Sequence, residues 1–188
     1  RAAPVNPADI TEGVELSRLV INGTEYDLSD RRQVNRANTN LYIQLQEPLP
    51  AGEQLTMEAD WVQYLPLTNR RTGVYDETTF FVAYWYPQIA VYDDVFGWDD
   101  LDYNLRTEFY NNLANFDVTI NAPEQFSVWA TGTLQNGEEV LPPAVFERWE
   151  RAKTSTETVN VLTAEDLEGD YLNQRGAWHY TAEEVPDF

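Results

Sequence analysis

Cysteine is absent from the 188-residue chain, and histidine occurs once, at His179. Without thiols there are no disulfides, no thiolate metal sites and no cysteine nucleophile. A single imidazole cannot supply the paired histidines of a zinc site, and no H-E-x-x-H string occurs. A Ser-His-Asp triad would have to pass through His179, and no G-x-S-x-G elbow supports one. The nine glycines form neither G-x-G-x-x-G nor a phosphate-binding loop, which argues against a nucleotide site. Basic residues are scarce: 12 Lys and Arg face 32 Asp and Glu, for a formal net charge of −20. That charge repels phosphates and no basic stripe offsets it, so nucleic acid is excluded as a partner. No apolar run reaches the roughly 20 residues of a membrane span. The opening Arg1-Ala2-Ala3-Pro4-Val5 lacks the apolar stretch of a signal peptide, so any leader is expected upstream. Composition leaves the compartment open between a bacterial cytoplasm and secretion without disulfides.

What is present is apolar and aromatic. The chain is 43% hydrophobic and 13% aromatic, enough for a sizeable core and too apolar for intrinsic disorder. Its length predicts a single domain or a piece of one, and neither an internal repeat nor a Gly-, Ser- or Pro-rich linker divides it. The dominant period is two. Leu41, Ile43 and Leu45 alternate with polar neighbours, as do Leu55, Met57, Ala59 and Trp61. Phe116, Val118 and Ile120 repeat the pattern, as do Val159 and Val161, and then Trp178, Tyr180 and Ala182. Such alternation predicts half-solvated antiparallel strands. Asn22-Gly23, between Leu19-Val20-Ile21 and Thr24-Glu25-Tyr26, predicts a type I′ hairpin turn. Gln135-Asn136-Gly137 predicts a second such turn, and Pro48-Leu49-Pro50-Ala51-Gly52 a longer loop. One helix is predicted over 143–152: Val145, Phe146, Trp149 and Ala152 share a face, and Pro143 suits the first turn. Residues 164–169 predict a short helical turn or a loop.

The densest carboxylate run is Asp93, Asp94, Asp99, Asp100 and Asp102, five Asp in ten residues. Calcium takes six to eight oxygens, so this run is a candidate calcium site, although its spacing is not that of an EF-hand. The alternative is an acidic surface loop whose carboxylates accept from turn N–H groups. With 32 acidic residues, a carboxylate pair at any separation arises by chance and does not indicate a glycoside hydrolase. The sequon Asn22-Gly23-Thr24 is explained by the hairpin turn. Phe80-Phe81-Val82-Ala83-Tyr84-Trp85-Tyr86-Pro87 is the most unusual stretch. Its aromatics at period two are expected chiefly as core and cross-strand pairs, with a ligand-stacking surface as the alternative. His179, between Trp178 and Tyr180, is expected as a structural histidine on a sheet face.

Several strings resemble one family in order and spacing across residues 80–188. They are Phe81 through Asp94 (FVAYWYPQIAVYDD), Gly97-Trp98, Glu108-Phe109-Tyr110, Phe116 through Pro123 (FDVTINAP), Trp129 through Asn136 (WATGTLQN) and Trp178 through Phe188 (WHYTAEEVPDF). Together they are similar to a run in bacterial zinc metallopeptidases related to aminopeptidase N, and residues 14–65 fit the preceding strands more weakly. The resemblance implies an all-β, saddle-like sandwich with one short helix, which packs against a thermolysin-like catalytic domain. Zinc is then expected in that missing domain, on H-E-x-x-H and a later Glu, with no catalytic residue and no zinc ligand in this chain. The chain is expected to be an incomplete N-terminal domain whose partners are its own catalytic domain and the parent's peptide substrate. A periplasmic or secreted setting is favoured for that parent.

One family feature maps onto a residue. Relatives often carry Gln directly before the Trp-Tyr-Pro string, where it helps hold the substrate's N-terminal end. Here that position is Tyr84, whose phenol makes one hydrogen bond and cannot reproduce an amide. Tyr84 and Trp85 are therefore candidate pocket-wall residues. Tyr84, Trp85, Trp178, Val185 and Phe188 are expected to form an apolar surface exposed in this chain and covered in the parent. The alternative from a different class is a free-standing β-sandwich binding module for carbohydrate or protein, stabilised by calcium at the Asp93–Asp102 run.

Overall fold

The computed structural model describes residues 7, 10–67, 71–103, 107–168 and 176–188. Its strands are short and antiparallel, and the chain forms two compact units, residues 1–110 and 111–188.

In the first unit, β1 (Val14–Ile21) turns through Asn22-Gly23 into β2 (Thr24–Glu25). Both turn residues take positive φ, 48° and 79°, as a type I′ turn requires. β3 (Val34–Ala37) and β4 (Asn40–Ile43) form a second hairpin, and β5 (Met57–Gln63) returns along the full length of β1. The register slips between Leu16 and Arg18, leaving Ser17 as a bulge whose hydroxyl donates to the Asp60 carbonyl at 3.1 Å. Period two decides what is buried. Leu19 and Ile21 from β1 meet Met57 and Ala59 from β5 and close a core with Tyr26 and Val34. On the water side Arg18 pairs with Glu58 across the strands at 2.9 Å. Two two-residue ladders follow: β6 (Gly73–Val74) with β7 (Phe80–Phe81), and β8 (Tyr92–Asp93) with β9 (Gly97–Trp98). The loop predicted at 48–52 is present, and β4 stops at Ile43, before Leu45.

The second unit is built on β10 (Ala114–Asn121), β11 (Thr133–Leu134) and β12 (Ala177–Val185), in the order β10-β12-β11. Between β11 and β12 lie α1 (Gly137–Val140), α2 (Pro143–Ala152) and α3 (Ala164–Leu167). Helix α2 is the one that the 3.6-residue spacing predicts. Pro143 opens it, and Val145 is fully buried against Leu134, Val140, Leu141, Trp178 and Tyr180. Phe146 and Trp149 flank that core, and Lys153 Nζ lies 3.5 Å above the Trp149 ring. Arg148 ties α2 to α3: its Nε donates to the Val161 carbonyl at 2.8 Å and its Nη2 donates to Asp166. Asp166 also accepts from the Thr163 N–H and hydroxyl, closing a capping box. These donors, Arg148 foremost, hold the Asp166 carboxyl below the usual carboxylate range.

Two expected elements are not formed as read. Val159 and Val161 alternate, but they lie in irregular chain: Arg148 takes the Val161 carbonyl, and Val161 and Leu162 pack on the α2 core without a strand partner. Gln135-Asn136-Gly137 is not a hairpin turn. Asn136 Nδ2 donates to the Ala177 carbonyl at 2.7 Å, and its Oδ1 accepts from the His179 N–H at 3.0 Å. With the side chain fixed to β12, the Asn136 carbonyl accepts the first helical N–H groups and Gly137 begins α1.

The buried Tyr180 hydroxyl donates to the Val128 carbonyl at 2.7 Å, and burial pushes its phenol up to about 12. A raised folded pKa means that the folded state holds this proton more tightly. Stability from this group is whole below the ordinary phenol value near 10 and is lost as pH rises from there toward 12. Two pH units correspond to roughly 3 kcal/mol. Urea unfolding followed upward from about pH 9 is expected to show that decline in the second unit, and Tyr180→Phe to flatten it. A wild-type decline no steeper than that of Tyr180→Phe would contradict the assignment.

Candidate functional site

Tyr84 and Trp85 lie just after β7, where the strand gives way to irregular chain. Tyr84 has φ 56°, a left-handed conformation that costs a non-glycine residue about 1–2 kcal/mol and persists only where neighbours impose it. Those neighbours are visible. The Tyr84 ring packs 4.7 Å from Phe109 and 6.5 Å from Tyr103, and Tyr103 and Phe109 stack at 5.1 Å. Trp85 packs against Trp61 and Tyr86, and its carbonyl accepts from the Trp61 indole N–H at 2.7 Å. Both candidates are half-buried within their own unit.

The charged element beside Tyr84 is a bidentate pair. Arg71 Nη1 and Nη2 donate to Glu108 Oε2 and Oε1, each at 2.9 Å, and Nη1 lies 3.5 Å from the Tyr84 hydroxyl. Glu108, and after it Tyr84, hold the guanidinium well above its ordinary value, while Arg71 holds the Glu108 carboxyl below its own. The pair is solvent-facing, so water screens it. No local pattern signals this arrangement, because Arg71 and Glu108 stand 37 residues apart. The cluster offers aromatic walls, the phenols of Tyr84, Tyr86 and Tyr103, and an internally paired charge couple. A groove elsewhere in the same unit, lined by Glu15, Leu16, Leu28, Val34, Arg36 and Leu41, includes neither Tyr84 nor Trp85.

The aromatic run at 80–87 is not a core strand. Only Phe80 and Phe81 pair, with Val74 and Gly73, and Phe81 is 61% exposed. Phe81 faces Gly73, which has no side chain to pair with it, and Phe80 faces Val74, so the ladder holds no cross-strand aromatic pair.

The five aspartates serve different partners. Asp93 Oδ1 accepts from the Val95 and Phe96 N–H groups at 2.8 and 2.6 Å and so shapes the β8–β9 turn. The Asp102 carboxylate accepts from Asn38, Thr39 and Asn40 and fastens the β3–β4 turn. The Asp100 carbonyl accepts from the Asn40 side-chain amide at 2.7 Å, and its carboxylate lies 3.5 Å from the Tyr42 hydroxyl. Asp94 is exposed and Asp99 half-buried. Among the described residues no three His, Cys, Asp or Glu converge as a metal would require. The one histidine is used in the sheet, with Nε2 2.9 Å from Asp117 Oδ1.

The expected exposed surface needs one correction. Trp178 is 2% exposed, in the centre of the second unit's core, because its position in β12 points it at Val140 and Val145. Val185 and Phe188 are half-buried, and Phe188 packs against Phe116 and Tyr180. Among the exposed large apolar side chains, three rings stand on the first unit's β8–β9 hairpin. Tyr92 is 64%, Trp98 61% and Phe96 86% exposed. No family model, curated protein or solved structure matches the chain.

Proposed function

We propose that the chain is a non-catalytic N-terminal β domain of an aminopeptidase-N-like zinc metallopeptidase, supporting the catalytic domain and walling its substrate cleft. The observation that carries this reading is the ordered series of family-like strings across residues 80–188. Two features support it. The architecture is all-β and antiparallel. The segment that leads into Tyr84 and Trp85 also leaves Phe80, Phe81 and Val82 exposed, at 44%, 61% and 51%. In this reading Tyr84 stands at the pocket wall with its single hydroxyl and the Arg71–Glu108 pair behind it, and Trp85 supplies flat apolar surface. Two outcomes are expected. The reading frame continues beyond Phe188 into an H-E-x-x-H domain, and the chain by itself hydrolyses no aminoacyl or peptide substrate. A frame that ends near Phe188, or chelator-sensitive turnover by the homogeneous chain, would overturn the proposal.

A second reading, a free-standing module for carbohydrate or protein with calcium at the Asp93–Asp102 run, is favoured by one observation. The β8–β9 hairpin presents Tyr92, Phe96 and Trp98 to solvent beside Asp94 and Asp100, a combination of open rings and acceptors suited to sugar stacking. Its tests are retardation by soluble glycans in native gels and a calcium-dependent rise in Tm.

A further inference from the structure

Two Asn-Gly steps occur in the chain, Asn22-Gly23 and Asn136-Gly137, and the fold treats them oppositely. From this contrast we infer that Asn22 is a spontaneous modification site, converting to aspartate and isoaspartate while Asn136 is protected. The chemistry needs only water. The backbone nitrogen of the following glycine attacks the Asn Cγ, the new N–C bond forms, and the amide nitrogen leaves as ammonia. The resulting succinimide is then opened by one water at either carbonyl, giving aspartate or the β-linked isoaspartate. Glycine promotes the step because no Cβ hinders the attacking nitrogen.

Asn22 has the exposure and the open surroundings that the step needs. The residue and its glycine are exposed at the tip of a turn. Asn22 Oδ1 accepts from the Thr56 N–H and the Asn22 N–H donates to the Thr56 carbonyl, each at 2.9 Å, and Thr56 is itself exposed. The turn is held on one side by a strand of two residues, Thr24 and Glu25, so it opens without unfolding the core. A Cβ at Gly23 would meet nothing within 4 Å, so no neighbour confines the glycine. Asn136 is the reverse. Its amide nitrogen donates to Ala177 at 2.7 Å and to Glu139 at 3.3 Å, and its oxygen accepts from His179. Gly137 is buried, with the Phe146 and Trp149 rings 3.2 Å from where a Cβ would stand. Succinimide closure there requires β12, α1 and α2 to separate.

The modification alters the hairpin. Isoaspartate inserts a methylene into the main chain, which the two-residue turn cannot absorb while Val20 stays opposite Glu25. The test is timed incubation of the purified chain at mildly alkaline pH, followed by peptide mapping and enzymatic isoaspartate detection. Folded, Asn22 is expected to convert about tenfold faster than Asn136 or more, reflecting the gap between local and unit-wide opening. In denaturant the two sites are expected to converge. Equal rates in the folded chain would overturn the inference. So would an intact Asn22 after a synthetic peptide of residues 17–29 has fully converted, or a difference that persists in denaturant.

Discussion

Gly132→Ala is expected to remove about 3–5 kcal/mol from the second unit, combining a left-handed residue with steric overlap. Gly132 has φ 85°, and an added Cβ would stand 2.2 Å from the Thr181 carbonyl oxygen and 2.8 Å from the Ala182 Cβ. Those atoms belong to the central strand, so they cannot yield as the end of a flexible side chain would. Relief requires β11 to move away from β12, breaking the register of Thr133 with Thr181 and Leu134 with Tyr180. A loss of this size approaches the whole stability of a small domain, roughly 5–15 kcal/mol. Gly23→Ala is the matched control: its φ is 79°, yet nothing lies within 4 Å of the added Cβ. It carries the backbone penalty alone, about 1–2 kcal/mol. Urea midpoints for the two variants separate the effects, and equal losses would show that the close approach at Gly132 is not there.

Trp178→Ala is expected to be as damaging, at about 3–5 kcal/mol, through lost burial and the cavity left behind. The side chain is 2% exposed and lies among Val140, Val145 and Leu134. Trp98→Ala removes the same atoms from a site that is 61% exposed and is expected to stay within about 0.5 kcal/mol of the parent chain. The comparison also decides between two placements of Trp178. A mild Trp178→Ala phenotype would return that residue to the exposed surface on which the sequence reading set it.

Where one face of a strand is buried and the other wet, the sequence is legible. Met57, Ala59 and Trp61, then Phe116, Val118 and Ile120, alternate in burial as they alternate in polarity. The α2 stripe is legible for the same reason, with three turns repeating one face. Alternation failed at Val159 and Val161 because two apolar residues at period two also fit a loop draped over a helix, and no facing strand was available to choose the strand. Asn136 was misread because Asn-Gly chemistry suits both a type I′ turn and a helix start, and partners more than 40 residues away, Ala177 and His179, decide between them. Tyr84 and Trp85 could be named from neighbouring strings. Their setting among Arg71, Tyr103, Glu108 and Phe109 could not, since no local pattern encodes which distant residues meet.

The strand order β10-β12-β11 has a kinetic consequence. The central strand is the last of the three in the chain, and β10 and β11 find their ladder partner only when β12 arrives. Pairs such as Asp117 and His179 are 62 residues apart, so the nucleating closure is long, whereas α2 can form locally in about a microsecond. During synthesis from the N-terminus, an eight-residue β10 therefore waits with both edges open until residues 177–185 emerge. The polar alternates Asn115, Asp117 and Thr119 face water over that interval. They keep the waiting strand from presenting an uninterrupted apolar ribbon to another unfinished chain.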